Sequence, residues 1–336
     1  MTRKLKTLVI LPLVATLGTL GVATVSGASS GGTVNVVGYS TISAGYSALE
    51  TAFQATSAGQ GVMFTNSFGA SGTQAQDVVA GQPADVVNFS LIPDMNTVVK
   101  AGVVSRSWQT NPISAAEDGF VADSTVVIVV RTGNPLNITG WNNLTASGVQ
   151  IVTPDPISSG SAKWNLLGAY ESQILQGKRS EVSHKFLNKV VGNVIAEPSS
   201  GSKALSTFLT GTGNVLLAYE SDAQEALAKG SPIQIVYPQQ NVLIQTPAAL
   251  TTTGANNSSA VAFFKYLFSP AGQTILVTQD YRSTLPSKKS ALNKAFYNPA
   301  KMITISSMGG WSKVWSQFFS ASGLFTRVEN AHGYTS

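Results

Sequence analysis

The sequence predicts an α/β protein whose 336 residues form two domains or two lobes. Short runs rich in β-branched residues alternate along the chain with segments of helical periodicity. Strand, helix and strand at this spacing indicate parallel sheets with helical crossovers. The length also exceeds what one hydrophobic core usually organises, so we expect the chain to divide.

The pattern locates each element in turn. Strands are predicted at 34–39, 61–67, 84–91, 124–131, 149–154, 213–219 and 233–238. Helices are predicted at 43–56, 71–80, 93–101, 161–176, 202–210 and 221–229. Beyond about residue 255 the pattern is mostly helical, with apolar residues at i, i+3 and i+4 in VAFFKYLFSPAGQTIL and GGWSKVWSQFFSA. We expect this tail to pack across the outside.

Residues 1–28 have the features of a signal peptide. Arg3, Lys4 and Lys6 precede an apolar run, and the small residues of Ser26-Gly27-Ala28 follow it. We therefore expect an exported protein that is cleaved near Ala28, periplasmic or otherwise extracytoplasmic. An uncleaved membrane anchor is the alternative, because the apolar run approaches the length that spans a bilayer.

Composition excludes several kinds of site. The chain has no cysteine, which rules out disulfides, thiolate metal sites and a lipid-bearing cysteine. With only two histidines, a transition-metal site is poorly supported, and we expect no cofactor. The net charge is +5, and three of the basic residues that contribute to it lie in the targeting segment. The rest of the chain is therefore close to neutral and shows no basic stripe suited to nucleic acid.

Gly/Ser clusters follow several predicted strands and precede helices. They occupy residues 40–43, 68–72, 158–161 and 199–202. These are the carboxyl ends of strands, where open α/β sheets place their ligands, so we expect the four turns to face one cleft. The first turn of a helix has unpaired N–H groups and a partial positive charge, Ser adds a hydroxyl donor, and Gly permits close approach. Together they predict an anion site without Lys or Arg.

The types of hydrogen-bonding group in these turns indicate which anion fits. A fully ionised tetrahedral oxyanion such as sulfate presents only acceptors, which N–H and O–H donors satisfy completely. Phosphate near neutral pH retains a proton and needs an acceptor, and the four turns contain no Asp or Glu. Molybdate, tungstate and thiosulfate remain compatible on chemistry alone. Glu220 would weaken the sulfate interpretation if its side chain pointed into the cleft.

Several longer runs carry a resemblance to a known family. They are VVGYS, SFGASGTQAQDVVAGQPADVV, VVIVVRTGNPLNITGWNNL, GVQIVTPDPISSGSAKWNLLGAY, GNVLLAYESDA, KYLFSPAGQ, YRSTLPS and GGWSKVWSQFF. In this order, from about residue 33 to about residue 328, they resemble the periplasmic sulfate- and thiosulfate-binding proteins of ABC importers. The resemblance implies the class II periplasmic binding protein fold, with two lobes, two crossover strands and a ligand cleft between the lobes.

Several further expectations follow from the resemblance. It implies a non-enzymatic binding protein, which we expect to be monomeric, that holds sulfate or thiosulfate without its water shell and delivers it to a membrane permease. Lobe 1 would comprise residues 33–122 and 240–336, and lobe 2 residues 123–239. The implied ligand contacts are the backbone of Ser40, the backbone of Ser71 with its hydroxyl as a further candidate, Ser159, Gly160, Ser161, the backbone near Gly201, and the ring donor of Tyr219.

The chain departs from the family pattern at two of these positions. Ser40 stands where the family often has Asp, and this change should be tolerated because the contact is a backbone donor. Tyr219 stands where some members have Trp, and a phenol O–H can replace the indole N–H with a different reach. Around Gly201 the match is loose, since an Arg found in that loop of some members is not at the equivalent place.

A hydrolase is the alternative from a different class. Residues 200–203 fit S-x-x-K, but the S-D-N element of penicillin-recognising enzymes is missing. A serine triad would need His184 or His332, and Ser71 lies in GASGT, which does not match G-x-S-x-G.

We expect Ser159→Ala to weaken sulfate affinity by about 1–3 kcal/mol, because an acceptor of the dianion loses its hydroxyl donor. Calorimetric titration of the mature chain with sulfate measures this change. An unchanged affinity in a folded variant would contradict a ligand role for the Ser159 hydroxyl.

Overall fold

The computed structural model describes residues 31–334, and within them the chain forms a mixed α/β fold. The strands are β1 Thr33–Tyr39, β2 Met63–Gly69, β3 Val86–Asn88, β4 Phe120–Arg131, β5 Ile151–Val152, β6 Val194–Ala196, β7 Val215–Tyr219, β8 Ile233–Val236, β9 Gln240–Leu250 and β10 Lys301–Ile303. The helices are α1 Ser43–Gln54, α2 Ser71–Val79, α3 Ile92–Lys100, α4 Gly160–Leu175, α5 Ser180–Gly192, α6 Gly201–Leu209, α7 Glu220–Ala228, α8 Ser258–Leu267, α9 Pro270–Thr278, α10 Lys289–Leu292, α11 Trp311–Val314 and α12 Leu324–Ala331.

The strands follow the order β2-β1-β3-β9-β4-β7-β5-β6, with β10 beside β9 and β8 beside β4. The pairs β1–β2 and β1–β3 are parallel, as are β5–β6 and β5–β7. Between named strands, each antiparallel pairing of the described residues involves β4 or β9. The predicted α/β class is confirmed, and the parallel groups are joined by antiparallel strands because β4 and β9 run against their neighbours.

β4 and β9 join the two parallel groups. The first half of β4 pairs with β9 up to Thr125, and from Val126 the strand pairs with β7 instead. β9 pairs with β4 through Pro247 and continues beside β3 from Ala248. The two strands therefore form the crossover expected for a two-lobed fold.

The core lies on both faces of the crossover. Val126, Ile128 and Val130 of β4 belong to the largest buried apolar cluster, while Val127 and Val129 face a second cluster beside α6 and α7. Successive side chains of a strand point to opposite faces, so a strand buried on both faces is apolar throughout. This explains the uninterrupted run TVVIVV in β4.

Most predicted helices are observed within two residues of their expected bounds, but one long strand was missed. β9, with the sequence QNVLIQTPAAL, was not assigned from periodicity, because its polar residues and Pro247 obscure the apolar alternation. Proline is usually confined to edge strands or irregular positions, which argues against a central strand. Pro247 lies where β9 changes partners, and its carbonyl still accepts a hydrogen bond from the Phe89 N–H at 3.0 Å.

The C-terminal tail packs on α4 and α5. Trp311 meets Trp164 with ring centroids 5.1 Å apart, and Phe318 meets Tyr170 at 5.0 Å. His332 also lies beside Asn188 of α5, at 3.2 Å. The expected lobe division placed residues 240–336 together in lobe 1, but in the structure residues 311–332 contact helices of the 123–239 segment.

Among residues 31–334, no single helix has the length and apolar character to cross a membrane. The pair α8 and α9, bent by 65°, passes that test when the two are taken together.

An aromatic cluster closes the sheet face under α1 and α8. Phe263 is fully buried and its ring lies 4.7 Å from Phe64 and 5.3 Å from Phe53, between centroids. We expect Phe263→Ala to lower the free energy of unfolding by about 3–5 kcal/mol, because a cavity replaces the ring. Denaturant unfolding tests this, with the exposed Met63→Ala as the control. Equal effects of the two substitutions would contradict it.

Candidate functional site

The predicted ligand residues stand at the starts of helices. Ser40 opens a 3₁₀ turn that leads into α1, Ser71 opens α2, and Gly201 opens α6. Ser159 is the N-cap of α4, which begins with Gly160 and Ser161, and Tyr219 is the N-cap of α7. Helix starts leave backbone N–H groups without partners in the helix and carry the positive end of the dipole.

Ser90 connects these helix starts. Its N–H donates to Ser71 Oγ at 2.9 Å, and its hydroxyl lies 2.6 Å from Tyr219 Oη. Its carbonyl accepts a hydrogen bond from Trp164 Nε1 at 2.9 Å. One residue thus contacts the first turn of α2, the strand end before α7 and the first turns of α4. We give the name serine cluster to Ser90 together with the predicted ligand residues of the four turns and of the β7 end, namely Ser40, Ser71, Ser159, Gly160, Ser161, Gly201 and Tyr219.

Two glycines allow these turns to approach closely. A Cβ on Gly160 would lie 2.6 Å from Ser90 Cβ, and a Cβ on Gly201 would lie 2.6 Å from Thr41 Cγ2 and 3.0 Å from Ser161 Oγ. Contacts below about 3 Å cannot be kept by packed carbon atoms. Both positions therefore need glycine for the turns to touch as they do.

Backbone contacts also join the turns. The Gly72 N–H donates to Ser158 O at 3.1 Å, and the Ser202 N–H donates to Ser40 Oγ at 3.3 Å. The structure therefore brings all four predicted Gly/Ser turns together, as the position of strand ends in an α/β sheet led us to expect.

Unpaired donors remain in the serine cluster. Among the described residues, no group accepts a hydrogen bond from the backbone N–H of Ser71, Gly160 or Gly201. The hydroxyls of Ser159 and Ser161 bond each other at 2.8 Å, so one of them has its proton free to donate elsewhere. Beside the turns, a cavity of about 360 Å³ is lined by Ser40, Ser43, Phe68, Gly69, Ala70, Ser199, Ser200, Ser202 and Lys203.

The Ser71 hydroxyl, a further candidate contact, is already engaged. It donates to Asp94 Oδ2 at 2.5 Å and accepts from the Ser90 N–H. Burial raises the pKa of Asp94, and the nearby Lys163 and the Ser71 hydroxyl oppose that rise. With its hydroxyl turned to this carboxyl, Ser71 offers the cleft only its backbone N–H.

Glu220 does not point its charge into the serine cluster. Its Oε2 lies 2.8 Å from Nη2 of Arg282 and accepts from Nε at 2.8 Å, within a buried ion pair. Burial raises the pKa of Asp222, on the same helix turn, well above its usual value, which favours its neutral form. Burial likewise raises the pKa of Tyr219 well above its usual value, so its phenol stays protonated and able to donate.

The sequence alone did not identify Ser90 as a site residue, nor the support that Tyr281 gives to the turn at Thr41. Ser90 is the last residue but one of the predicted strand ADVVNFSL, so the rule that found the other turns could have found it, although no glycine marks the position. Thr41 Oγ1 is buried without a hydrogen-bond partner among the described residues, and its carbonyl accepts from the Tyr281 hydroxyl. Nothing in the sequence shows that a tyrosine 240 positions away supports this turn.

The residues of the hydrolase alternative have structural roles. Ser200 Oγ caps α6 by accepting the Lys203 N–H at 3.3 Å, and Lys203 Nζ donates to Ser199 Oγ at 3.0 Å. His184 packs against Tyr170, with ring centroids 5.6 Å apart. These partners do not form a nucleophile–base pair.

Comparisons with known proteins agree with this geometry. The family described as bacterial extracellular solute-binding protein matches residues 34–282. The chain is 33% identical to the sulfate-binding protein of Synechococcus elongatus over 90% of this chain and 89% of that one. It is 27% identical to the thiosulfate-binding protein of Pseudomonas aeruginosa over 80% and 83%.

A solved structure is also similar. The sulfate-binding protein SubI from Mycobacterium tuberculosis matches with a TM-score of 0.81 and 37% identity, over 86% of this chain and 99% of that chain. These matches confirm the resemblance that the sequence runs indicated and the two-lobed α/β class. The chain belongs to the family of bacterial extracellular solute-binding proteins.

Proposed function

We propose that this protein captures sulfate in the serine cluster and delivers it to the membrane permease of an ABC importer, without catalysis. The proposal includes export, removal of the N-terminus near Ala28, which lies outside the described residues, and action as a monomer. The names of the relatives support sulfate as the ligand.

One observation carries the proposal: the starts of α2, α4 and α7 converge on Ser90, and neutral donors in these turns and in that of α6 have no partner within residues 31–334. Unpaired N–H groups of Ser71, Gly160 and Gly201 and the free proton of the Ser159–Ser161 pair can all donate to an anion. A dianion without protons accepts each of these bonds and needs no acceptor in return. Of the nearby carboxyls, Asp94 accepts the Ser71 hydroxyl, Glu220 pairs with Arg282, and burial raises the pKa of Asp222. Asp155 accepts the Ile157 N–H and the Ser158 hydroxyl.

The proposed mechanism is closure of two lobes around the anion. The turns of Ser40 and Ser71 precede the crossover in the chain, while those of Ser159, Gly201 and Tyr219 lie between β4 and β9. We assign the first group to lobe 1 and the second to lobe 2, and add the tail that packs on α4 and α5 to lobe 2. An anion that binds both groups shifts the population toward the closed form.

Thiosulfate is a second candidate, favoured by the relative that is named for it. It is also a tetrahedral dianion, in which one terminal sulfur replaces an oxygen. A sulfur is a weaker acceptor than an oxygen, so the discrimination depends on which donor faces it.

We expect sulfate to bind far more tightly than phosphate, because a site of donors leaves the phosphate O–H buried and unpaired. Calorimetric titration of the mature chain with sulfate, thiosulfate, molybdate and phosphate measures the order. Tight phosphate binding without a sulfate response would overturn the assignment, and hydrolysis of an ester substrate would favour an enzyme.

We expect Gly160→Ala to weaken sulfate binding at least about 100-fold, because the new methyl would overlap Ser90 Cβ and hold the lobes apart. Thermal unfolding without ligand should change little if the lobes can separate. Gly177→Ala is not a suitable control, since Gly177 has a positive φ of 82°. Gly140→Ala is the control, because a Cβ at this position would have no other atom within 4 Å. Normal sulfate affinity in Gly160→Ala would contradict this closed geometry.

A further inference from the structure

A cavity of about 600 Å³ lies behind the anion-binding turns and includes no residue of the serine cluster. Its walls come from the segment after β5, the first turn of α4, the end of β6 and the C-terminal tail. Its volume falls within the range of small-molecule sites, about 300–1,000 Å³. We call it the tail cavity.

Apolar side chains form most of the wall of the tail cavity. The rings of Trp315, Phe319 and Phe325 line it, and Ile157 and Ile195 stand at its edge with 57% and 48% of their surface exposed. Large apolar side chains grouped around an open cavity are typical of a surface that receives a ligand.

Two carboxyl groups in the tail cavity lack a cationic partner. Glu329 is 5% exposed, and no N–H or hydroxyl group of residues 31–334 donates to its carboxyl oxygens. The group in hydrogen-bond contact with Glu329 is the carboxyl of Glu197, so the two acids share a proton when one of them is protonated. Glu197 Oε1 is buried and unpaired in the same way. The ion pairs of the described residues include neither glutamate. A buried carboxyl without a partner is costly unless it is protonated or meets a cation.

The other charged groups of the tail cavity do not neutralise this pair. Lys163 Nζ lies 3.4 Å from Ile157 O, and the charges that most affect it are those of Asp94 and Asp155. Asp155 uses one carboxyl oxygen for the Ile157 N–H and the other for the Ser158 hydroxyl. Lys163 therefore interacts with the neighbouring turn through Ile157 O. Asp155 adds to the negative charge near the two glutamates.

We propose that the tail cavity is a second binding site, for an amphiphilic organic ammonium ion. Its apolar part would lie against Phe319 and Phe325, and its charged group would pair with Glu197 and Glu329. Trp315 adds a ring face that attracts cations, as its position 5.8 Å from Lys163 Nζ already illustrates. The proposal does not depend on which anion the serine cluster binds.

The state of the two glutamates gives the site a defined pH dependence. Burial, reinforced by the neighbouring Glu329, raises the pKa of Glu197 to about 9, and burial raises the pKa of Glu329 to about 7. The groups that face them are Asp155, Lys163 and Tyr334, whose hydroxyl bonds Val194 O at 2.5 Å. At neutral pH the pair therefore keeps a proton, which a bound cation displaces. Affinity for the cation should rise with pH from about 6 to about 9.

The test titrates the mature protein with phenethylammonium and hexylammonium, and with 2-phenylethanol and hexanol as uncharged analogues, by calorimetry. We expect each ammonium ion to bind at least about tenfold more tightly than its alcohol, and more tightly as the pH rises. Glu329→Gln and Glu197→Gln should each weaken binding of the ammonium ions at least about tenfold, and the remaining affinity should depend less on pH. Glu181→Gln, at a side chain 69% exposed, is the matched control and should change nothing.

Sulfate titration and thermal unfolding of each variant show that the protein is folded and that the serine cluster is intact. If one glutamine variant does not fold, the other decides the result. No binding of either ammonium ion to the folded protein overturns the proposal. Equal affinity for the alcohols, or ammonium binding that both glutamine variants retain, also overturns it.

Discussion

β4 and β9 run antiparallel to each other through the centre of the molecule, where β9 pairs with β3 of one parallel group and β4 pairs with β7 of the other. Because these two strands connect the groups, the carboxyl ends of β1 and β3 are held opposite those of β5 and β7. The helices that begin there direct their unpaired N–H groups toward the same region. The serine cluster therefore depends on a register of main-chain hydrogen bonds distant in sequence from the residues that would touch the anion.

The charge balance around the serine cluster follows from the same arrangement. An anion held by backbone dipoles needs no lysine or arginine, but it would be repelled by any ionised carboxylate that faced it. The nearby acids are engaged in different ways: Asp94 accepts the Ser71 hydroxyl, Glu220 pairs with Arg282, and burial favours the neutral form of Asp222. The carboxylate of Asp155 accepts the Ile157 N–H and the Ser158 hydroxyl. In the proposed function Ser71 would consequently contribute only its N–H, and the side-chain contacts to the anion would be the hydroxyls of Ser159, Ser161 and Tyr219.

The tail adds chemistry that the anion site does not use. By packing on α4 and α5 it encloses Glu197 and Glu329 against aromatic rings, beside the Asp155–Ser158 turn. The same turn thus borders both proposed sites, one for an anion and one for a cation. Asp155 belongs to both surroundings. Its carboxylate accepts two hydrogen bonds within the turn, and the same residue lines the tail cavity.

Local sequence determined much of the fold and of the candidate site. The sequence predicts helix starts at Ser71, Ser161 and Ser202, each within one residue of the observed start, because serine, glycine and apolar periodicity act over a few residues. The rule for strand ends then predicts that these starts face one cleft. Other features needed the tertiary structure: the strand β9, the engagement of the Ser71 hydroxyl by Asp94, the central place of Ser90, and the packing of the tail on α4 and α5. Each of these depends on a contact between residues far apart in the chain. Sequence periodicity reports only on neighbouring residues, so it does not indicate which distant residue bonds a polar group or covers an apolar face.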